Sequence, residues 1–362
     1  MEKVRVAMIG VGAISGIYLQ NITKVFRELD LIGVCDLIPE RAEKGVAYVK
    51  EQIQAGATVR EPKIYKDMYE AFDDPEVEVI LNLTRPHEHY EVSKQALLHG
   101  KHVYSEKPLA VDMEEASELV ALAEEKNLRM GGAPDTFMGA GIQTARRIID
   151  DGLIGDVVGA NCAMICHGHE TWHPDPEFYY KRGGGPMMDM GPYYITALVQ
   201  LLGEAKGVMG MTKRTFPHRT ITSEPHYGED ITVDVDTYLS GNILFSNGAI
   251  AQIFTTFDVP GELRPVLRFT APKALWWCPI PTPLTALSCC SVRRTRLRLP
   301  KPTRLWKRKP LLSSTTATKR SPCSTITTQT AGLWVWRTCA RPCAPAGSIG
   351  PTTSSSVMCW RS

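Results

Sequence analysis

Two clusters of residue types in this chain could do chemistry. The first is Gly10-Val11-Gly12-Ala13-Ile14-Ser15, which follows directly on an apolar run and precedes a helical stretch. It approximates G-x-G-x-x-[G/A], with Ser15 at the last position and Gly16 one beyond. Gly10 permits a tight turn and Gly12 lets the backbone approach a pyrophosphate. Ala13 and Ile14 lead into a helix whose first N–H groups are free for an anion. Taken alone, such a turn is equally a structural device. The second cluster is Cys166-His167-Gly168-His169-Glu170-Thr171-Trp172-His173-Pro174, with Tyr179, Tyr180 and Lys181 beyond it. His167, His169 and Glu170 are metal-ligand types, but H-x-H spacing without a separate Cys or carboxylate set does not make a metal motif, and no metal is expected. A polar-aromatic pocket built from His169, Trp172, His173, Tyr179, Tyr180 and Lys181 suits a carbohydrate, because ring faces stack on the sugar while polar edges bind its hydroxyls. A structural role for most of these aromatics fits the pattern as well.

The elements that must position the glycine turn are legible around it. Lys3 to Ile9 alternates and then runs apolar, as a parallel strand buried on both faces does. A second apolar strand, Leu31 to Cys35, ends in Asp36, at the spacing where an acid hydrogen-bonds the adenosine ribose. A carboxylate would repel a 2′-phosphate, so Asp36 favours NAD over NADP; Arg41, nearby, is the residue type that would favour NADP. A further unit runs from Val77–Leu83 through a helix, Glu88 to Leu98, to a strand at Lys101–Tyr104. Strands alternating with helices indicate a doubly wound parallel sheet, whose ligands sit beyond the carboxyl ends of its strands. Thr84-Arg85-Pro86-His87-Glu88-His89 and Ser105-Glu106-Lys107-Pro108 occupy that rim.

Through Glu106-Lys107-Pro108 the chain resembles the glucose-fructose oxidoreductase, inositol dehydrogenase and rhizopine-catabolism (Gfo/Idh/MocA) family. Gly10 and Gly12 match that family's glycine turn, Asp36 its ribose acid, Pro86 with His89 its P-x-x-H, and Glu106-Lys107-Pro108 its E-K-P. Gly183-Gly184-Gly185 followed by Asp189-Met190-Gly191 resembles its G-G-G…D-x-G segment. The resemblance covers roughly residues 3 to 260. It implies a Rossmann domain over 1–133 and a substrate-binding and oligomerisation domain over 134–268, with an open, largely antiparallel sheet. It also implies transfer of a hydride between NAD and a secondary alcohol or ketone of a sugar or polyol, and a homo-oligomer. Thr84, Pro86, His89 and Glu106 would join the glycine turn in the cofactor site. Lys107 would donate to the developing alkoxide or carbonyl oxygen, with Asp189 orienting it or a substrate hydroxyl. Four residues beyond that aspartate the family commonly has histidine, and here stands Tyr193. Its hydroxyl can donate and accept, but a reference pKa of ~10 makes it a poor base at neutral pH unless a cation lowers it. His169 and His173 are alternative acid–base groups. The departure at Tyr193 is also what a non-catalytic dinucleotide or sugar sensor on the same fold would show.

Composition divides the chain near the same point where the resemblance stops. No run of about 18 apolar residues suggests a membrane span, and Met1-Glu2-Lys3 leads straight into a strand, so a cytoplasmic protein is expected. All 39 acidic residues lie at or before Glu262, whereas Phe269 to Ser362 holds 15 Lys and Arg and no acid, leaving 26 basic against 39 acidic groups before it. Seven of ten Cys and six of seven Trp also fall after residue 270, without a C-x-x-C pair or a partnering His. A basic nucleic-acid arm is one reading; the genetic code offers a better one. Codons allowed for Thr270 to Leu284, each begun at its predecessor's third base, read Y-G-T-E-G-T-L-V-V-P-D-P-N-T-F, the segment with which the family would continue. The same shift yields A-L-G-V-A-D-M-C-T-A-L within Ala331 to Cys343 and A-N-Y-Q-Q-L-R-D-V-L-E-I from Gly350 to Arg361. A single base lost near codons 268 and 269 accounts for the acid-free segment with no nucleic-acid partner. It makes 269–362 an out-of-frame tail, expected to be disordered, with an inactive product as one outcome. Resequencing the locus across codon 268 checks this: a recovered base restoring the frame is the expected result, and an encoded tail under selection the contrary one.

Overall fold

In a computed structural model, residues 2–259, 263–271, 274–278 and 291–293 are described. The N-terminal half is a parallel sheet of β1 (Val4–Ile9), β2 (Leu29–Cys35), β3 (Lys63–Ile64), β4 (Val79–Asn82), β5 (His102–Ser105) and β6 (Met130–Gly132), in spatial order 3-2-1-4-5-6. β4 is buried along its whole length and β1 over its last four residues, which is why both read as unbroken apolar runs. The crossovers are α1 (Ser15–Lys24), α2 (Pro39–Gln54), α3 (Met68–Asp73), α4 (His89–Leu98) and α5 (Met113–Glu125). Local chemistry starts several of them. Proline opens α2, where its missing N–H costs nothing. Asp67 and Asp112 cap α3 and α5 by accepting from the backbone N–H three residues on. Separate apolar clusters fill the two faces of the sheet, one around Leu19, Leu31 and Val46, the other around Phe72, Leu97 and Leu119. The strand order reverses between β1 and β4, so a crevice opens at their carboxyl ends.

The second half comprises α6 (Ala140–Asp150), β7 (Gly159–Ile165), α7 (Gly185–Leu202), β8 (Ala205–Lys213), a small ladder of β9 (His218–Thr220) with β10 (Asp230–Thr232), then β11 (Tyr238–Phe245), β12 (Ile250–Thr256), β13 (Leu263–Ala271), β14 (Ala274–Cys278) and β15 (Ser291–Arg293). Its main sheet has the order 15-14-13-7-12-11-8 and is antiparallel except for the pair β7 and β12. Helices α6 and α7 cover one face, and Tyr194, Leu198, Leu201, Phe245 and Phe257 fill the core beneath them. The hairpin expected over Asn242–Phe257 is β11 and β12, closed at Ser246-Asn247-Gly248 with Gly248 at φ +84°.

The boundary expected at residue 268 falls inside β13. Leu267, Phe269 and Ala271 are buried while Arg268 and Thr270 are exposed, so the period-2 alternation of a half-buried strand runs unbroken across it. Residues 269–271, 274–278 and 291–293 are thus strands of the sheet; the remainder of the expected tail lies outside the described residues. Phe269 is fully buried in the second core. Phe269→Ala is expected to cost about 3–5 kcal/mol in urea unfolding; a loss below about 0.5 kcal/mol would show that this stretch contributes nothing to the core.

Candidate active site

The glycine turn lies at the carboxyl end of β1. Gly10 has φ +92°, and a Cβ there would stand 2.7 Å from the Leu83 carbonyl oxygen, so no other residue fits this turn unstrained. At Gly12 a Cβ would meet nothing within 4 Å: the turn is open where a ligand's phosphates would approach. Ala13 and Ile14 lead into α1, and Ser15 Oγ donates to the Gly12 carbonyl at 2.7 Å. Asp36, one residue past β2, is tied to the same turn. Its Oδ2 accepts from Val11 N–H at 2.6 Å and its Oδ1 from Ile38 N–H at 2.8 Å. These features fit a dinucleotide, with the glycine turn and α1 at the pyrophosphate and Asp36 at the ribose.

Two rim residues hold the site's frame together. Thr84 Oγ1 donates to Asn82 Oδ1 at 2.6 Å, and Asn82 Nδ2 donates to the His89 carbonyl and to Ser93 Oγ, both at 3.0 Å. His89 corrects the expectation of a cofactor contact. It is 1% exposed, with Nδ1 2.6 Å from the Pro108 carbonyl oxygen and Nε2 3.0 Å from that of Thr84. Burial lowers its pKa, so the neutral ring has one N–H for one of the two carbonyls while it packs between the loop after β4 and the loop after β5. Pro86 packs in the same joint, close to Gly183 of the second domain.

Lys107 and Asp189 meet where the two domains face one another. Lys107 Nζ donates to Asp189 Oδ1 at 2.6 Å and to the Asp189 carbonyl at 2.9 Å. The other carboxylate oxygen, Oδ2, lies 2.8 Å from His169 Nε2, and Trp172 Nε1 donates to His169 Nδ1 at 3.1 Å. Tyr193, one helical turn after Asp189 on α7, places its ring 5.5 Å from the Lys107 ammonium. Glu106 Oε1 accepts from the Tyr18 hydroxyl at 2.7 Å and Oε2 from the Lys107 backbone N–H at 3.0 Å, so it braces the lysine against α1. Burial opposes the charge on Lys107, but Asp189, Tyr193 and Glu106 outweigh it and hold the ammonium well above the usual lysine range. Burial likewise opposes the charge on Asp189, yet Lys107 and His169 hold the carboxyl well below its usual range. For Tyr193, burial dominates over Lys107 and pushes the phenol up to about 12. The site at neutral pH thus presents an ammonium and a phenol, both protonated.

The rings of His169, Trp172, His173 and Tyr179 come together, with centroids 4.2 to 5.4 Å apart. Two expected members lie elsewhere. Tyr180 is fully buried; its hydroxyl donates to Glu170 and its ring belongs to the second core, because one residue along the 3-10 turn projects about 120° round from Tyr179. Lys181 reaches the Thr232 carbonyl and Asp234 at 2.9 Å. Glu170 turns to Arg219, with His167 Nδ1 also 3.7 Å from its Oε1, while His169 turns away to Asp189, and no group of three or more metal-ligand side chains occurs among the described residues. Sequence reading missed Asp135, just past β6 at the same rim. Its Oδ2 is buried without a hydrogen-bond partner, and burial with Glu106 nearby pushes its carboxyl up to about 7. An acid following a strand-end proline was the available signal.

Replacing Asp189 by Asn would leave the Lys107 ammonium buried without its counter-ion, at an expected cost of about 3–5 kcal/mol at pH 7. The sign with pH follows from the lowered carboxyl. The Asp189 contribution is complete above the unfolded value of ~3.9 and is lost as pH falls through the folded one. Denaturant titrations from pH 7 downward should therefore show an acid-side loss in the parent chain that is smaller in Asp189→Asn.

Comparison with known proteins matches these features over both halves. A family model described as oxidoreductase family, NAD-binding Rossmann fold covers residues 4–132, and one described as the GFO/IDH/MocA C-terminal domain covers 142–273. Among curated proteins, an inositol 2-dehydrogenase/D-chiro-inositol 3-dehydrogenase of Lactiplantibacillus plantarum is 31% identical over 153 residues, 42% of this chain and 41% of that protein. A levoglucosan dehydrogenase of Pseudarthrobacter phenanthrenivorans is 26% identical over 212 residues, 54% of this chain and 53% of its own. The aligned part thus spans about two-fifths to half the length of these relatives. A solved levoglucosan dehydrogenase in complex with NADH and L-sorbose superposes with a TM-score of 0.73 at 17% identity, covering 99% of this chain and 94% of that one, which speaks to the fold. With the glycine turn, the Rossmann strand order and the second-domain sheet in place, this chain belongs to the Gfo/Idh/MocA family of oxidoreductases.

Proposed function

We propose that the protein is an NAD-dependent oxidoreductase that interconverts a secondary alcohol and a ketone on a sugar or polyol. The observation that carries this reading is the Lys107 ammonium, held at the rim of an NAD-binding sheet by the two hydrogen bonds it donates to Asp189 of the opposite domain. The relatives named as inositol and levoglucosan dehydrogenases support the substrate class, as does the aromatic wall beside the lysine. Bound NAD would be held by Gly10, Gly12, the start of α1 and Asp36, and it supplies the hydride acceptor or donor. Lys107 has a third N–H for the substrate oxygen and stabilises it as an alkoxide or carbonyl. Tyr193 adds a phenol that gives a proton to that oxygen in reduction and takes it back in oxidation. Asp189 fixes the direction of the ammonium and balances its charge.

Two protonated donors suit carbonyl reduction directly, whereas alcohol oxidation needs one of them to lose a proton first. Oxidation should therefore accelerate as pH rises toward the raised phenol value, while reduction stays level through neutral pH. NADH formation by the 362-residue chain across a panel of inositols, hexoses and anhydrosugars is the direct test. Lys107→Met is expected to lower kcat/KM by about 10²–10⁴. NADH binding without turnover on any member of the panel, by this chain and by its frame-repaired form alike, would favour a sensor instead, and turnover by the frame-repaired form alone an inactive frameshifted product.

Met209, Met211, Leu244 and Ile250 lie on one outer face of the second sheet and are 44 to 82% exposed. This face supports assembly into a homo-oligomer, which light scattering would read.

A further inference from the structure

His169 is clamped on one side and covered on the other. Its Nε2 meets Asp189 Oδ2 at 2.8 Å, and its ring packs against Tyr179 and Phe257 with centroids 4.2 and 4.7 Å away. At Nδ1 it meets the indole of Trp172. An indole N–H can only donate, so Nδ1 presents a lone pair, the ring proton sits on Nε2, and Asp189 accepts it. The imidazole has one acceptor site, and that site is plugged. The two partners differ in freedom. The His169 side chain is 13% exposed, whereas Trp172 is 61% exposed at the end of its turn.

We propose that Trp172 is a displaceable cap. When the cleft fills, a substrate hydroxyl takes over the Nδ1 lone pair and the indole swings away from it. Resting on the function proposed above, this makes His169 the reader of a second hydroxyl next to the one held by Lys107, since the two side chains bond opposite oxygens of one carboxylate. The substrate class is then a ring polyol with neighbouring hydroxyls, and an isolated alcohol is discriminated against. No proton changes owner at His169; one hydrogen-bond donor replaces another.

Histidine and tryptophan ¹⁵N labelling of the full chain reads this directly, with His169→Gln and Trp172→Phe assigning the signals. The free protein should show His169 as the Nε2–H tautomer and a hydrogen-bonded Trp172 indole. Adding NADH with myo-inositol should shift the indole signal whether or not it is turned over, and NADH with cyclohexanol should leave it in place. Trp172→Phe keeps an aromatic face without the N–H and should bind that inositol about 3- to 10-fold more tightly. A free-state His169 carrying its proton on Nδ1, equal or weaker binding by Trp172→Phe, or an equal indole shift with cyclohexanol overturns the proposal. Absence of turnover across the panel overturns the oxidoreductase reading alone, because the tautomer and the indole bond are read on the free protein.

Discussion

An ammonium buried between two domains must have its counter-ion within hydrogen-bond reach, or it loses either its charge or its place. Lys107 comes from the loop after β5 and Asp189 from the first turns of α7, so satisfying that requirement registers the Rossmann sheet against the second domain. Each neighbouring feature serves the same joint. Glu106 and Tyr18 brace the lysine from the cofactor side, and His89 packs between the two rim loops. Arg85 pairs with Asp175, and Arg182 with Asp112, across the same junction. Those pairs are half exposed and add little stability individually, beside the buried pair at the same junction.

The second domain contributes a further ionic cluster that never touches the cleft. Arg219 is buried between Glu170 and Asp258, with the His167 and Phe257 carbonyls as additional acceptors. Glu170 in turn takes the Tyr180 hydroxyl, and its carbonyl accepts from Thr222 N–H and Ser223 Oγ. Because Glu170 directly follows His169 in the chain, this cluster fixes the short turn from which His169 and Trp172 project. A charged residue inside a histidine-rich stretch thus serves as an anchor for its neighbour's orientation.

Composition and fold disagree about where the protein changes character. Acids vanish after Glu262, yet the family's C-terminal-domain model matches through residue 273 and β13 keeps its inward and outward alternation through Ala271. A strand needs only alternating residues of suitable size on its buried face. Phe269 and Ala271 meet that condition, so a break in sequence character can pass through a strand without breaking it.

The sequence by itself determined the Rossmann half and the chemistry types at its rim. Those depend on short-range signals: apolar runs for buried parallel strands, a glycine where φ is positive, an acid at a strand end, and Glu106-Lys107-Pro108 one strand later. Only the tertiary structure decided which side chains meet. Lys107 and Asp189 are separated by 82 positions and come together through domain packing. Tyr179 and Tyr180 are adjacent, yet one stacks on His169 and the other is fully buried with its hydroxyl on Glu170, because successive residues of a 3-10 turn project about 120° apart. His89 looked like a ligand and proved to pack between two loops, and Asp135 went unseen although it lies beside Glu106. Orientation and burial arise from contacts between distant segments, and no local pattern encodes them.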